Sequence, residues 1–122
     1  MRSVRRDEGF TLLELLIVMI ILSILAAISI PTFLRQRQKA WERVAQSDVR
    51  HGAIQAEMYY DENDTYVGLD EAPLRSSDDT ELSVTDATVT EYCLEGDHRR
   101  LDPEPDYHFD LELGRPVAGG CA

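Results

Sequence analysis

From Phe10 to Leu34 the chain is apolar at almost every position, with Glu14 its only charge. This run of 25 residues, at about 1.5 Å of rise per residue, makes a helix long enough to cross a hydrocarbon core of about 30 Å. Its apolar residues go all round, so the helix suits lipid or the middle of a bundle. Beyond Leu34 the pattern narrows to a stripe, in which Trp41, Ala45, Val49, Gly52, Ala56 and Tyr59 or Tyr60 recur at spacings of three and four with charges between them. That spacing predicts an amphipathic helix continuing to about Tyr60, where "DENDTYVG" supplies turn formers and a stop.

The period then changes. "YHFDLEL" places Tyr107, Phe109, Leu111 and Leu113 on one side and His108, Asp110 and Glu112 on the other, the alternation of a half-buried strand. "LSVT" and "TVTEYCLE" read as two earlier strands around a turn at Asp86 and Ala87, and Pro103 and Pro105 mark the loop before the third. The expected fold is α+β: one long N-terminal helix whose second half packs its stripe against an antiparallel sheet of three or four short strands.

Composition narrows what such a fold does. A chain of 122 residues holds one domain. With the apolar run set aside, the soluble part is small enough that its core is marginal and a covalent staple helps. Residues 61 to 122 carry 17 Asp and Glu against Arg75, Arg99, Arg100 and Arg115, a net of −13. So acidic a head repels phosphate backbones, and no specific nucleic-acid partner is expected. Cys93 and Cys121 both lie in the head, as suits two cysteines that pair in an oxidising compartment; two unpaired thiols are the plain alternative.

Candidate chemistry of the enzymatic kind is absent from the sequence. No Gly-rich phosphate loop, nucleophile elbow or catalytic carboxylate pair is present, so no catalytic residue, metal or cofactor is expected. His51, His98 and His108 lack ligand spacing and read as surface histidines. Asp61, Asn63 and Asp64 offer oxygens to a calcium ion, and Asn63-Asp64-Thr65 is a glycosylation sequon, but turn chemistry accounts for both. Trp41, Tyr59, Tyr60 and Tyr66 fit core packing without any role as an electron path. The basic cluster from Arg35 to Arg43 reads as contacts to lipid headgroups and neighbouring subunits, with capture of DNA as the minor alternative.

Glu14 remains. "TLLE" is a capping box, in which Thr11 accepts from the Glu14 amide while Glu14 reaches back to the Thr11 amide. A cap does not explain why it lies inside an apolar run, where an unpartnered charge at mid-membrane costs about 2.5–3.5 kcal/mol on insertion scales. The stretch "RRDEGFTLLELLIVMIILSILAAISIP", with its basic leader, Gly9-Phe10 junction, Glu five residues into the chain that follows, and Pro31 at the far end, resembles the prepilin signature of the type IV pilin and type II pseudopilin families. The resemblance extends with less force through "KAWERVAQSDVRHGAIQAEMYYDENDTYVG", and "YCLEGDH" with "GGCA" is similar to the disulfide-bounded C-terminal loop of short pilins.

The resemblance implies a leader of residues 1–9, a transmembrane and assembly helix over 10–34, an amphipathic continuation over 35–60 and a head over 61–122. It implies cleavage between Gly9 and Phe10 by a prepilin peptidase, N-methylation of Phe10, and assembly through Glu14, Thr11 and Pro31 into a homopolymer. Glu14 would meet the N-terminus of a neighbour, and Cys93 would pair with Cys121. Where the family usually carries a glycine this chain has Ser23, so local melting of the helix between Ser23 and Pro31 is less assured, although Pro31 should still bend it.

Two membrane readings compete. Arg2, Arg5 and Arg6 precede the span and Arg35, Arg37, Lys39 and Arg43 follow it, so a count of cations does not place the N-terminus inside. The cysteines and the large acidic head favour export of the head. An ordinary signal peptide cut after "ILAA" is the rival, and the span is longer than its usual apolar core of about 7–15 residues. The expected protein is a single-pass precursor in membrane lipid that later enters an extracellular pilus, with an assembly ATPase and membrane platform as partners. A type II secretion pseudopilin is the alternative. A membrane-anchored monomeric binding domain is the second, against which Glu14 argues.

Overall fold

An all-round apolar run and a one-sided stripe on the same helix need different surroundings, and the two halves of α1 have them. The computed structural model describes residues 9–101 and 107–121. Helix α1 spans Leu12–Asn63, a 3-10 turn follows at Leu69–Glu71, and four strands complete the chain: β1 (Thr80–Thr85), β2 (Cys93–His98), β3 (Tyr107–Asp110) and β4 (Arg115–Ala118). The chain divides into two compact units, Met1–Gln36 and Arg37–Ala122, and α1 contributes to each.

In the first unit every described residue is exposed. Pro31 lies inside the helix without ending it. Ser23 Oγ donates to the Met19 carbonyl at 2.7 Å and Thr32 Oγ1 to that of Ile28 at 3.0 Å, so both hydroxyls are satisfied one turn back, as hydroxyls on a helix in an apolar medium must be.

In the second unit Ala45, Val49, Gly52, Ala53 and Ala56 are buried on one face of α1. They meet a sheet of order β1-β2-β3-β4 in which every neighbouring pair is antiparallel. Alternation along β2 turns Leu94, Gly96 and His98 inward and leaves Asp97 exposed. Val49, Ala53, Ala56, Tyr66, Leu69, Tyr92 and Leu94 form the core, with Tyr107 and Phe109 of β3 against it. Small residues on the helix let it lie close to the strands. A Cβ on Gly52 would fall 2.8 Å from Leu94 Cδ2, and one on Gly96 would run into the side chain of Val49.

Several expectations shift. The helix continues three residues past Tyr60, and Asn63 Nδ2 donates to the Tyr59 carbonyl at 2.9 Å while Asp64, at φ 56°, ends it. The second strand begins only at Cys93, because Thr88 turns the chain: its Oγ1 accepts from the Glu91 amide at 3.0 Å. The third stops at Asp110, whose Oδ1 accepts from the Leu113 amide at 2.9 Å and whose carbonyl accepts from Gly114 at 2.8 Å. Leu111 and Leu113, expected on the buried face of one strand, are therefore exposed in a tight turn, and β4 returns beyond it. His98, expected on the surface, is 2% exposed because it occupies an inward position of β2. The prolines at 103 and 105 lie outside the described residues.

Candidate functional site

At the N-terminus Gly9 and Phe10 precede the helix and both are exposed. Thr11 starts it: its carbonyl accepts from the Leu15 amide at 3.2 Å, and its Oγ1 accepts from the Glu14 amide, also at 3.2 Å. This is the first half of the capping box, and it places Glu14 in the first turn, where the helix dipole favours a carboxylate. Among the described residues the Glu14 carboxylate makes no ion pair. Apolar side chains, exposed like Glu14 itself, surround it: Leu13, Leu15, Ile17 and Val18. A charge so placed is available to a partner outside the chain, and in a medium of low dielectric its demand for one is strong.

Pro31 stands in the same helix and shares no contact with this cluster that the spacing would permit, since more than four turns separate it from Glu14 at about 3.6 residues per turn. It removes one backbone donor, and α1 carries the loss without a break.

The two cysteines are in the head. Cys93 opens β2, Cys121 follows β4, and they are joined, with Cα atoms 6.1 Å apart, so the bond ties the end of the chain to an inner strand and encloses β3 and β4. The Cys121 amide donates to the Glu95 carboxylate across the same gap. Of the expected site residues, then, Gly9, Phe10, Thr11 and Glu14 come together, while Pro31 and the cysteine pair stand apart from them.

Polar groups that the periodicity did not mark also organise the head. Asp48 is buried on the helix stripe, and its carboxylate accepts from the Ser77 amide at 3.2 Å and from the Ser77 hydroxyl. Its signal in the sequence is a carboxylate at a position three residues from Ala45 on the apolar face. Trp41 stacks on His98 with centroids 6.1 Å apart, and the guanidinium groups of Arg37 and Arg100 lie 4.9 and 5.7 Å from its centre. Arg100 comes from the turn after β2, which no helical spacing reveals. In the core, burial followed by the hydrogen bond its hydroxyl donates to Glu57 at 2.9 Å pushes the Tyr66 phenol up to about 12. Burial, with the Glu57 charge second, pushes Tyr92 higher still.

Residues 4–30 match the prokaryotic N-terminal methylation motif. The type IV wide pilus major component PilA4 of Thermus thermophilus is 33% identical over 103 residues, covering 77% of this chain and 76% of that protein. The type II secretion system core protein G of Escherichia coli is 30% identical over 121 residues, 99% of this chain and 81% of that one. The type IV major pilin protein PilA of Myxococcus xanthus is 36% identical over 61 residues, 50% of this chain and 28% of its own.

Proposed function

Because the chain belongs to the family of type IV pilins and type II secretion pseudopilins, whose members are structural subunits and not enzymes, we propose that it is a subunit of an extracellular type IV pilus, polymerised through α1. The observation that carries this reading is the pairing of an all-round apolar helix surface with one exposed carboxylate in its first turn that makes no ion pair among the described residues. Lipid satisfies the apolar surface but not the charge. A bundle of identical helices satisfies both, provided a cation stands opposite each Glu14.

Cleavage between Gly9 and Phe10 supplies that cation. A prepilin peptidase cutting there frees an amine on Phe10, which stays positive after N-methylation and lies at the very end of the helix that carries Glu14. The amine of one subunit then neutralises Glu14 of the next, with Thr11 holding the first turn in shape. Gly9 leaves the scissile bond unobstructed. Pro31 provides a backbone position with no donor to lose if the helix adjusts on packing. The precursor sits in the cytoplasmic membrane with its head outside. A membrane platform and an assembly ATPase supply the work of extrusion.

The Cys93–Cys121 closure favours a pilus over a secretion pseudopilus, because it secures the C-terminal strands of a head that faces the exterior. The pseudopilin reading has its own support in the near full-length likeness to core protein G. Shearing surface filaments from cells and identifying their main subunit by mass spectrometry separates the two. This chain as the bulk of the filament is the expected result; its confinement to the envelope would return it to the pseudopilins.

A further inference from the structure

Two exposed features lie beyond the apolar run of α1, in the unit Arg37–Ala122. The first is an open groove of about 590 Å3 beside α1, with the apolar Ile54 and Met58 and the polar His51, Arg75 and Ser76 among its lining. Ile54 is 53% and Met58 61% exposed. Its wall is pinned. Gln55 Oε1 accepts from the Arg75 amide at 2.8 Å and Gln55 Nε2 donates to the Arg75 carbonyl at 2.9 Å, while buried Asp48 holds Ser77 two residues on. Arg75 is exposed, and among the described residues its guanidinium makes no ion pair.

The second feature is the turn between β3 and β4. Leu111 and Leu113, 41% and 55% exposed, flank Glu112, which likewise makes no ion pair among the described residues. Asp110 closes this turn through the Leu113 and Gly114 amides, so the tip is as well defined as the groove. Two apolar side chains and one carboxylate on the tip match two apolar side chains and one guanidinium in the groove.

The groove is lined on α1 by Asp48, His51, Ile54, Gln55 and Met58, and the base of the β3–β4 turn borders Arg50, Ala53, Ile54 and Glu57, so the two patches are neighbours that share Ile54. Ile54, Met58, Leu111 and Leu113 all stand exposed, so the tip of a chain does not fill its own groove and both patches are open to a second copy.

Resting on the filament reading above, we propose that the head makes a head-to-tail contact in which Leu111, Glu112 and Leu113 of one copy seat in the groove formed by His51, Ile54, Met58 and Arg75 of the next. Such a contact joins two different patches, so it is not two-fold and is compatible with an open helical filament. The rigid wall and the closed turn limit the ordering that binding requires. Glu112 against Arg75 sets the register, because a shifted seat leaves both charges without partners.

The test uses the full-length chain as the sole copy in cells, with Met58→Cys and Leu113→Cys introduced together. Mild oxidation is expected to yield a ladder of covalent multimers, and each cysteine alone is expected to yield monomers. Dimers from either single variant would mean a two-fold contact and would overturn the proposal, as would an absence of bonding in the double variant. Charge exchange is a second arm. Arg75→Glu or Glu112→Arg alone should lower surface filaments roughly tenfold through like-charge contact, and the two together should recover to within about twofold as a coupled pair does. Equal loss in the double variant overturns the register. Filaments of the unaltered chain test the pilus reading separately: a ladder confined to the envelope keeps the contact and removes the pilus.

Discussion

A carboxylate near the start of an apolar helix is either a cap or half of an ion pair, and the two separate on substitution. Glutamine also serves in a capping box, so a mere cap would make Glu14→Gln cost a few tenths to about 1 kcal/mol. An ion pair in a low-dielectric bundle behaves otherwise, since deleting one partner is typically worth about 3–5 kcal/mol and every subunit would suffer it. Glu14→Gln is therefore expected to be cleaved and stable in the membrane yet absent from filaments when it is the only copy; abundant normal pili built from it would return Glu14 to the role of a cap. Gly9 is tested one step earlier. A branched side chain at the scissile junction obstructs the peptidase, so Gly9→Val should keep the leader, read as intact precursor mass, and normal filaments with the leader attached would refute its assignment.

Among the elements, α1 and β2 depend on each other for their spacing. Gly96 faces Val49, with Leu82 Cδ2 3.3 Å from where a Cβ would stand, so β2 lies against the helix at a distance that only glycine allows. Gly96→Ala should lower head stability by about 1–3 kcal/mol as an overpacked core does. Thermal unfolding of the detergent-solubilised chain measures it, and combining the change with Val49→Ala should recover part of the loss. An unchanged midpoint for the single variant would show that the helix and sheet slide apart freely. Strand lengths were less legible than this face. Thr88 and Asp110 each bond a backbone amide with a side-chain oxygen and turn the chain, and such local capture competes with alternation that otherwise reads as strand.

For the molecule as a whole, the head is a small acidic domain held by a modest core and one covalent closure. The bond between Cys93 and Cys121 spans a sequence separation of 28. A loop of that size stabilises by roughly 3–4 kcal/mol in the chain-entropy account, a large share of what a small domain possesses. Alkylation without reduction should label no thiol, and a Cys93→Ser, Cys121→Ser pair should leave a head that unfolds at markedly lower denaturant; an unshifted midpoint would remove the closure from the stability of the fold. Alkaline pH probes the core. Tyr66 and Tyr92 have their hydroxyls raised from 10.0, chiefly by burial, and the unfolded chain releases those protons more readily. Their contribution to stability is therefore fully present below pH 10 and is lost as pH rises from there towards 12. Tyrosinate absorbance should show two of the five tyrosines ionising only as the head unfolds, and early, non-cooperative ionisation of all five would contradict their burial.

The amino-acid order by itself determined what depends on short range: the apolar run and its lone carboxylate, the stripe of small residues that selects the buried face of α1, and the α+β class. Those follow from helix and strand periods, which repeat within a few residues and need no partner to be read. Tertiary structure decided what joins distant segments. His98 is buried because β2 turns it inward, under Trp41, which lies far from it in the sequence. Asp48 is tolerated on an apolar face because Ser77 arrives to bond it. Leu111 and Leu113 stand in the open because Asp110 bends the chain before a fourth strand can be seen in the pattern. The first two depend on a stacking or hydrogen-bonding partner supplied from elsewhere in the chain and the third on a side chain that captures a nearby amide, and periodicity carries no information about either.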